Sequence, residues 1–348
     1  MTTLEDHGGW RAILATLTQG QDLTSEQAGA AMGSILAGDA TPAQIAGFIV
    51  ALRMKGEAVD EVTGMVDAML AAAAPITLPA GLDAIDIVGT GGAPQRRVHA
   101  LNVSTMACFV AAGAGVAVCK HGNRKASSTS GSFDLLDALG IPVDLDGAGV
   151  ARCVTEAGAG FCFARAFHPA MRHAGPIRAE LGVPTVFNFL GPLSNPARVQ
   201  RMVIGVSDAR VAPTVIGVLR RRGMVRAMVV HGADGMDELT LTAPSTVYEL
   251  RDGDVREYVV DPSELGLAVV PAERVAGGDG EVNAGIARRV LDGEQGPYRD
   301  IVLLNAAAGL VVGGAAADLA EGIELGRTAI DSGKAKAVVA ALVAAADW

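Results

Sequence analysis

Asp86-Ile-Val-Gly-Thr-Gly-Gly92 is an apolar run that enters a glycine-rich turn. Glycines in such a turn let backbone N–H groups approach a phosphate closely, although a plain tight turn would use the same residues. Other short apolar runs recur along the chain and are followed by helical patterns, so the sequence predicts βαβ units and a largely parallel sheet. These predicted strands are residues 85–88, 116–119, 161–163, 203–206, 227–230 and 301–304.

The region before this segment has the pattern of helices. Thr24-Ser-Glu-Gln27 and Thr41-Pro-Ala-Gln44 fit capping boxes, and the second has proline at the first helical position. Apolar residues at i, i+3, i+4 and i+7 follow it and predict one buried face. They are Ile45, Phe48, Ile49 and Leu52. We predict a small helical domain over residues 1–80, which part of residues 168–195 joins, and an α/β domain over residues 81–348.

Composition limits the classes of function. The chain has 348 residues, half of them apolar, and a formal net charge of −10, so a nucleic-acid-binding surface is not expected. The four cysteines form no CxxC pair, which favours reduced thiols over a zinc site or disulfides. The first residues lack the pattern of a signal peptide, and no apolar run reaches 18 residues. We therefore expect a soluble, cytoplasmic protein without a membrane partner.

Several polar segments follow the predicted strands. Asn102-Val-Ser-Thr105 could cap a helix or donate to phosphate, and Lys120-His-Gly-Asn-Arg124 comes at the carboxyl end of a predicted strand, where open α/β sheets bind ligands. Ser127-Ser-Thr-Ser-Gly-Ser132 precedes a predicted helix and could bind a monophosphate. Asp237 and Glu238 follow another strand and would suit Mg²⁺, although the pair taken alone favours a plain acidic loop.

Together these segments resemble the anthranilate phosphoribosyltransferase family over nearly the whole chain, in order and in spacing. The matching segments are Gly89–Gly92, Asn102–Thr105, Lys120–Arg124, His168–Met171, Gly191–Pro196 and Asp234–Glu238. The resemblance implies a homodimer that transfers phosphoribose from phosphoribosyl pyrophosphate (PRPP) to the amine of anthranilate, in tryptophan biosynthesis. It also implies an active site between the two domains.

The resemblance implies roles for individual residues, but no catalytic base is assigned. PRPP would be bound by Gly89, Thr90, Gly91, Gly92, Asn102, Ser104, Thr105, Lys120, Asn123 and Ser132. Magnesium would be held by Ser104, Asp237 and Glu238. The acceptor would contact His121, Asn123, Arg178 and Pro192, with Arg178 facing its carboxylate as a bidentate partner.

The segment after Gly92 departs from the family pattern. It is about three residues longer than the family's, by comparison of the motif spacing. Ala93 stands where an acidic residue is usual, and Arg96, Arg97 and His99 bring positive charge. Three interpretations stay open: the arginines contact pyrophosphate, the chain is a paralogue with another aromatic acceptor, or catalysis is lost.

Two other classes of protein fit the sequence less well. Pyrimidine nucleoside phosphorylases share the helical-plus-α/β plan, but their lysine-serine phosphate signature does not match Lys120–Arg124. A nucleic-acid-binding relative would need a basic groove, which the net charge of −10 disfavours, and retention on heparin at low salt would reveal it.

If Arg96 and Arg97 contact pyrophosphate, replacing both with alanine should raise the KM for PRPP, because two charge-assisted hydrogen bonds are lost. Steady-state kinetics with varied PRPP measure this effect. An unchanged KM would leave both arginines as solvated loop residues.

Overall fold

The computed structural model describes residues 3–93, 100–125 and 128–345. Its centre is a seven-stranded sheet with strand order β3-β2-β1-β4-β5-β6-β7. Strands β1 to β5 run parallel, while β6 and β7 pair antiparallel at one edge, so the expected mainly parallel sheet is confirmed. The strands are β1 (Ile85–Gly89), β2 (Val118–Gly122), β3 (Ala159–Phe163), β4 (Arg201–Gly205), β5 (Arg226–Gly232), β6 (Ser245–Arg251) and β7 (Asp254–Val260).

Helices cover both faces of this sheet. Side chains alternate along β1, so Ile85 and Ile87 join one hydrophobic core while Val88 joins the other. In chain order the helices are α1 (Gly9–Thr18), α2 (Ser25–Ala37), α3 (Pro42–Lys55), α4 (Val59–Ala72), α5 (Val103–Gly113), α6 (Ser132–Leu139), α7 (Gly147–Ala157), α8 (Ala164–Phe167), α9 (Gly175–Leu181), α10 (Phe187–Leu193), α11 (Ala212–Arg221), α12 (Gly280–Leu291), α13 (Pro297–Gly313), α14 (Leu319–Asp331) and α15 (Lys334–Ala344).

The N-terminal helices α1 to α4 share one core, and the expected helical domain is confirmed. Both capping boxes are formed, since Thr24 accepts from the Gln27 amide and Thr41 from the Gln44 amide. Apolar side chains of α9 and α10, among them Phe187, pack into the same core. The domain boundary at residue 80 stays a prediction.

The prediction of a strand at residues 301–304 is wrong, because these residues lie inside α13. The helix begins with Pro297 at its first turn and is buried along nearly all its length. A helix that is apolar all round gives no 3.6-residue period, so periodicity could not separate it from a buried strand. Gly309 lets it approach the sheet, since a Cβ there would lie 2.5 Å from Ile87 Cδ1.

The antiparallel pair β6 and β7 was not predicted. Strand β6 alternates buried and partly buried residues over its first half, β7 is mostly exposed, and Asp252-Gly253 joins them. Asp252 has φ of 53° and Gly253 has φ of 84°, as a two-residue hairpin turn requires. The Asp-Gly pair was the sequence signal for this hairpin.

Among the helices within residues 3–93, 100–125 and 128–345, none is long and apolar enough to cross a lipid bilayer.

Candidate active site

A cavity opens where the strand order of the sheet reverses, between β1 and β4. Loops after these strands diverge to opposite faces, which leaves a crevice at the carboxyl ends. The cavity has a volume of about 890 Å³. Its lining includes the predicted residues Gly89, Thr90, Gly91, Gly92, Asn102, Ser104, Thr105, Lys120, His121, Asn123, Ser132, Arg178, Pro192 and Asp237. Arg96, Arg97 and His99 lie outside the described residues.

The segment that carries Asp237 folds back over the ends of β1 and β4. Gly89 and Gly205 are paired in register there, and Asp237 lies directly on them. A Cβ at Gly205 would lie 1.7 Å from Asp237 O, and a Cβ at Gly89 would lie 2.2 Å from Asp237 Oδ2. The Gly91 amide donates to the same Oδ2 at 2.7 Å. Glycine at both strand ends is therefore needed to bring the carboxylate against the glycine loop.

Glu238 lies beside this contact and faces the first turn of α5. Its Oε1 accepts a hydrogen bond from the Ser104 amide at 3.2 Å. The buried Lys120 ammonium donates to Ile87 O and lies 3.4 Å from Ser104 Oγ. Two buried carboxylates and one buried ammonium thus lie around the start of α5, where the positive end of the helix dipole also favours a bound anion.

Asp86 ties the ends of β1 and β2 together behind the cavity. Its Oδ2 accepts from Asn195 Nδ2 at 2.8 Å and from the His121 amide at 3.2 Å, while Asn195 Nδ2 also donates to Cys119 O at 2.8 Å. Burial raises the pKa of Asp86 to about 6, and nearby Lys120 opposes this rise. The network holds the Lys120–His121 strand end in a fixed position.

His121 is held in one tautomer. Its Nδ1 lies 3.0 Å from Gly191 O, and a carbonyl can only accept, so Nδ1 carries the proton. Burial, with His168 at a ring distance of 5.1 Å, lowers the pKa of His121 to about 3. The ring is therefore neutral near pH 7, and its buried Nε2 is an acceptor that makes no hydrogen bond to the described residues.

Arg178 lies on the opposite wall, on α9. Its guanidinium stacks over the Phe187 ring at 5.0 Å, and burial lowers its pKa. Within the described residues, no carboxylate forms an ion pair with it. A planar cation that is stacked on an aromatic ring and lacks a counter-ion suits a carboxylate ligand.

Asn123 and Ser132 bind each other across the cavity rim. Ser132 Oγ donates to Asn123 O at 3.1 Å and lies 3.2 Å from the Asn123 amide. Gly122 makes room for this contact, since a Cβ there would lie 2.2 Å from Ser132 Oγ. The pair therefore fixes the loop after β2 against the start of α6, and its contact with a ligand stays a prediction.

Sequence reasoning gave no individual role to five buried polar side chains, of which Ser130 and His168 line the cavity and the other three lie behind it. Asp86, Ser130, His168, Asn195 and Asn283 are buried polar side chains, and each hydrogen-bonds to a cavity-lining residue or to the backbone beside one. For Asn283 a signal existed. It occupies an i position on a helix face whose i+3, i+4 and i+7 residues are apolar, and a polar residue there requires a buried partner.

Comparison with known proteins gives consistent results. Residues 11–73 match the helical bundle domain of a glycosyl transferase family, and residues 81–336 match its a/b domain. The anthranilate phosphoribosyltransferase of Arthrobacter sp. is 51% identical over 341 residues, which cover 96% of this chain and 95% of the relative. The chain belongs to the anthranilate phosphoribosyltransferase family.

Solved members of the anthranilate phosphoribosyltransferase family share the fold over the full length. The Thermus thermophilus structure has a TM-score of 0.90 at 43% identity and covers 97% of this chain and 99% of its own. The Saccharomyces cerevisiae structure, in complex with PRPP and Mg, has a TM-score of 0.87 at 28% identity and covers 97% and 98%. As a member of this family, the chain is a pentosyltransferase.

Replacing Gly205 with alanine should impair this phosphoribosyltransferase site, because the new Cβ meets the Asp237 backbone. Overpacking of this kind lowers the free energy of unfolding by about 1–3 kcal/mol, and turnover should fall with the displaced carboxylate. Denaturant unfolding and initial rates measure the two effects.

Gly33→Ala is the matched control, since no atom lies within 4 Å of its added Cβ inside α2. Helix propensity should make this variant more stable by about 0.5–1 kcal/mol without loss of turnover. Full activity in Gly205→Ala would contradict the packing argument.

Proposed function

We propose that the chain transfers the phosphoribosyl group of PRPP to the amine of anthranilate, giving N-(5-phosphoribosyl)anthranilate and pyrophosphate, as a step of tryptophan biosynthesis. The observation that carries this proposal is a single cavity at the reversal point of the sheet. The glycine loop, the start of α5, Lys120 and Asp237 all face it. Amide donors, an ammonium and carboxylates around one space suit a polyphosphate with a bound cation.

PRPP would lie along the glycine loop and α5. The glycine loop offers backbone N–H groups, and the first turn of α5 adds the Ser104 and Thr105 hydroxyls. Thr105 Oγ1 is buried and makes no hydrogen bond to the described residues, so it is available to a ligand. Lys120 supplies the buried positive charge that balances the diphosphate.

Asp237 and Glu238 would hold magnesium, with Ser104. The donor set fits this ion, because both carboxylates are buried, Asp237 lines the cavity and Glu238 accepts from the amide of the cavity-lining Ser104. Mg²⁺ takes one or two carboxylates and completes its shell with water and substrate phosphates. When bound, magnesium would stabilise the negative charge that develops on the leaving pyrophosphate.

Anthranilate would lie between His121, Pro192 and Arg178, near Asn123. Arg178 would pair with its carboxylate. His121 Nε2 would accept a hydrogen bond from the amine and orient the nitrogen lone pair toward ribose C1. A histidine with a pKa of about 3 is a weak base, so this contact positions the amine rather than removing its proton before attack.

The amine nitrogen would form its bond to C1 as the bond from C1 to pyrophosphate breaks, and the resulting ammonium would release one proton to the departing pyrophosphate or to water. An arylamine is neutral near pH 7 and needs no strong base. The residues of the site therefore contribute mainly by alignment and by charge stabilisation of the leaving group. We also propose a cytoplasmic homodimer as the working form.

Replacing both Asp237 and Glu238 with alanine should reduce turnover by at least about 100-fold, because the leaving group loses its magnesium site. Anthranilate fluorescence decay with PRPP and Mg²⁺ measures the rate.

The matched control is the double variant Glu5→Ala with Asp6→Ala, which also removes one glutamate and one aspartate, but from exposed positions. This control should keep wild-type turnover. Undiminished activity after loss of Asp237 and Glu238 would show that magnesium is held elsewhere.

Arg178→Ala should raise the KM for anthranilate about tenfold or more, since a hydrogen bond to a charged group is lost. The KM for PRPP should stay unchanged. Aniline, which lacks the carboxylate, provides the internal control: its reaction should be equally slow with both enzymes. A wild-type KM for anthranilate would place the carboxylate on another wall of the cavity.

A further inference from the structure

Asn102 lies directly before α5, yet its side chain does not cap that helix. Instead its Oδ1 accepts from Ser130 Oγ at 2.8 Å and from Asn283 Nδ2 at 2.7 Å. Both contacts use the same oxygen, so the amide nitrogen of Asn102 is left to face the cavity that the residue lines. Its Nδ2 donates to no acceptor within the described residues.

The orientation of the Asn283 side-chain amide is fixed by two backbone groups, of which one can only donate a hydrogen bond and the other can only accept one. The Gly278 amide can only donate, and it lies 2.9 Å from Asn283 Oδ1. The Ala100 carbonyl can only accept, and it lies 2.7 Å from Asn283 Nδ2. The oxygen and nitrogen of Asn283 therefore cannot be exchanged without losing both bonds. Its second N–H then points at Asn102, so the atom that faces it must be an oxygen.

Close packing brings α12 to this position. A Cβ at Gly277 would lie 2.5 Å from both Ala100 O and Leu101 Cα, so only glycine lets the two backbones meet. Asn283 itself is fully buried on α12. The Asn283 side chain thus contacts Asn102 behind the cavity wall, although the two residues are 181 positions apart in sequence.

We propose that Asn283 is a positioning residue for PRPP, because it holds Asn102 with its amide N–H groups toward the diphosphate. This proposal rests on the PRPP site proposed above. If the side-chain amide of Asn102 rotated by half a turn, its oxygen would face the phosphates and repel them. Ser130 cannot prevent this by itself, since a hydroxyl can donate to an oxygen or accept from an N–H with equal ease.

The test uses Asn283→Leu, which is similar in shape, neutral and without hydrogen bonds. The KM for PRPP should rise about tenfold, because a donor to a charged group becomes disordered. The kcat at saturating PRPP and the KM for anthranilate should change less than about threefold, since the acceptor side is not touched. Equal loss on both substrates would indicate a general structural defect and overturn the proposal.

A double-mutant cycle separates positioning from packing. In an Asn102→Ala background, Asn283→Leu should change the KM for PRPP by less than about twofold, because its effect acts only through Asn102. A full tenfold rise in that background would overturn the proposal. Asn283→Ser, which keeps one donor, should show a smaller rise than leucine and serves if the leucine variant fails to fold. A wild-type KM for PRPP in Asn283→Ser would also overturn it.

Arg288→Ala is the control on the same helix, where the exposed Arg288 donates to Ala138 O at 2.8 Å. It should keep the wild-type KM for PRPP.

The single variant Asn102→Ala distinguishes a failure of the proposed PRPP site from a failure of the positioning role of Asn283. If it leaves PRPP binding unchanged, the proposed PRPP site is wrong. If it weakens PRPP binding but Asn283→Leu does not, only the positioning role is wrong.

Discussion

The site depends on one close contact, that of the Asp237 backbone with the paired glycines Gly89 and Gly205. Without side chains at these two strand ends, the segment after β5 can fold back across β1 and β4. The carboxylate of Asp237 then reaches the Gly91 amide, and Glu238 reaches the first turn of α5. Backbone amides and buried carboxylates become neighbours because neither strand end has a side chain that would keep the two segments apart.

A second requirement is that the ionisable groups beside the cavity, which are buried from water, be neutral or offset one another. Asp86, Lys120 and His121 are all buried at the ends of β1 and β2. Burial raises the pKa of Asp86 and lowers that of His121, so both groups are pushed toward their neutral forms. Asn195 donates a hydrogen bond to Asp86 Oδ2, and His121 Nδ1 donates one to Gly191 O, so each group is held by one side-chain contact. The wall that faces the substrates is therefore rigid, with few rotamers left to freeze on binding.

The fold class could be predicted, and most of the residues predicted for the site line the cavity, because local sequence determines both. The glycine turn after β1, the capping boxes at Thr24 and Thr41, and the polar residues at strand ends are all short-range patterns. The helix at Ile301–Leu304 was taken for a strand because burial on every side removes the period that distinguishes the two. Asn283 was missed because its partner Asn102 is distant in sequence, and only the fold brings them together.

The β6–β7 hairpin continues the sheet on the side of β5 away from the reversal point. Its turn, Asp252-Gly253, uses left-handed backbone conformations and is exposed. No residue of either strand lines the catalytic cavity. Extra chain inserted at this turn would extend into solvent and leave the register of β1 and β4 unchanged, because loop tips tolerate insertion. The hairpin thus gives this enzyme a natural attachment point for a reporter or an immobilisation tether.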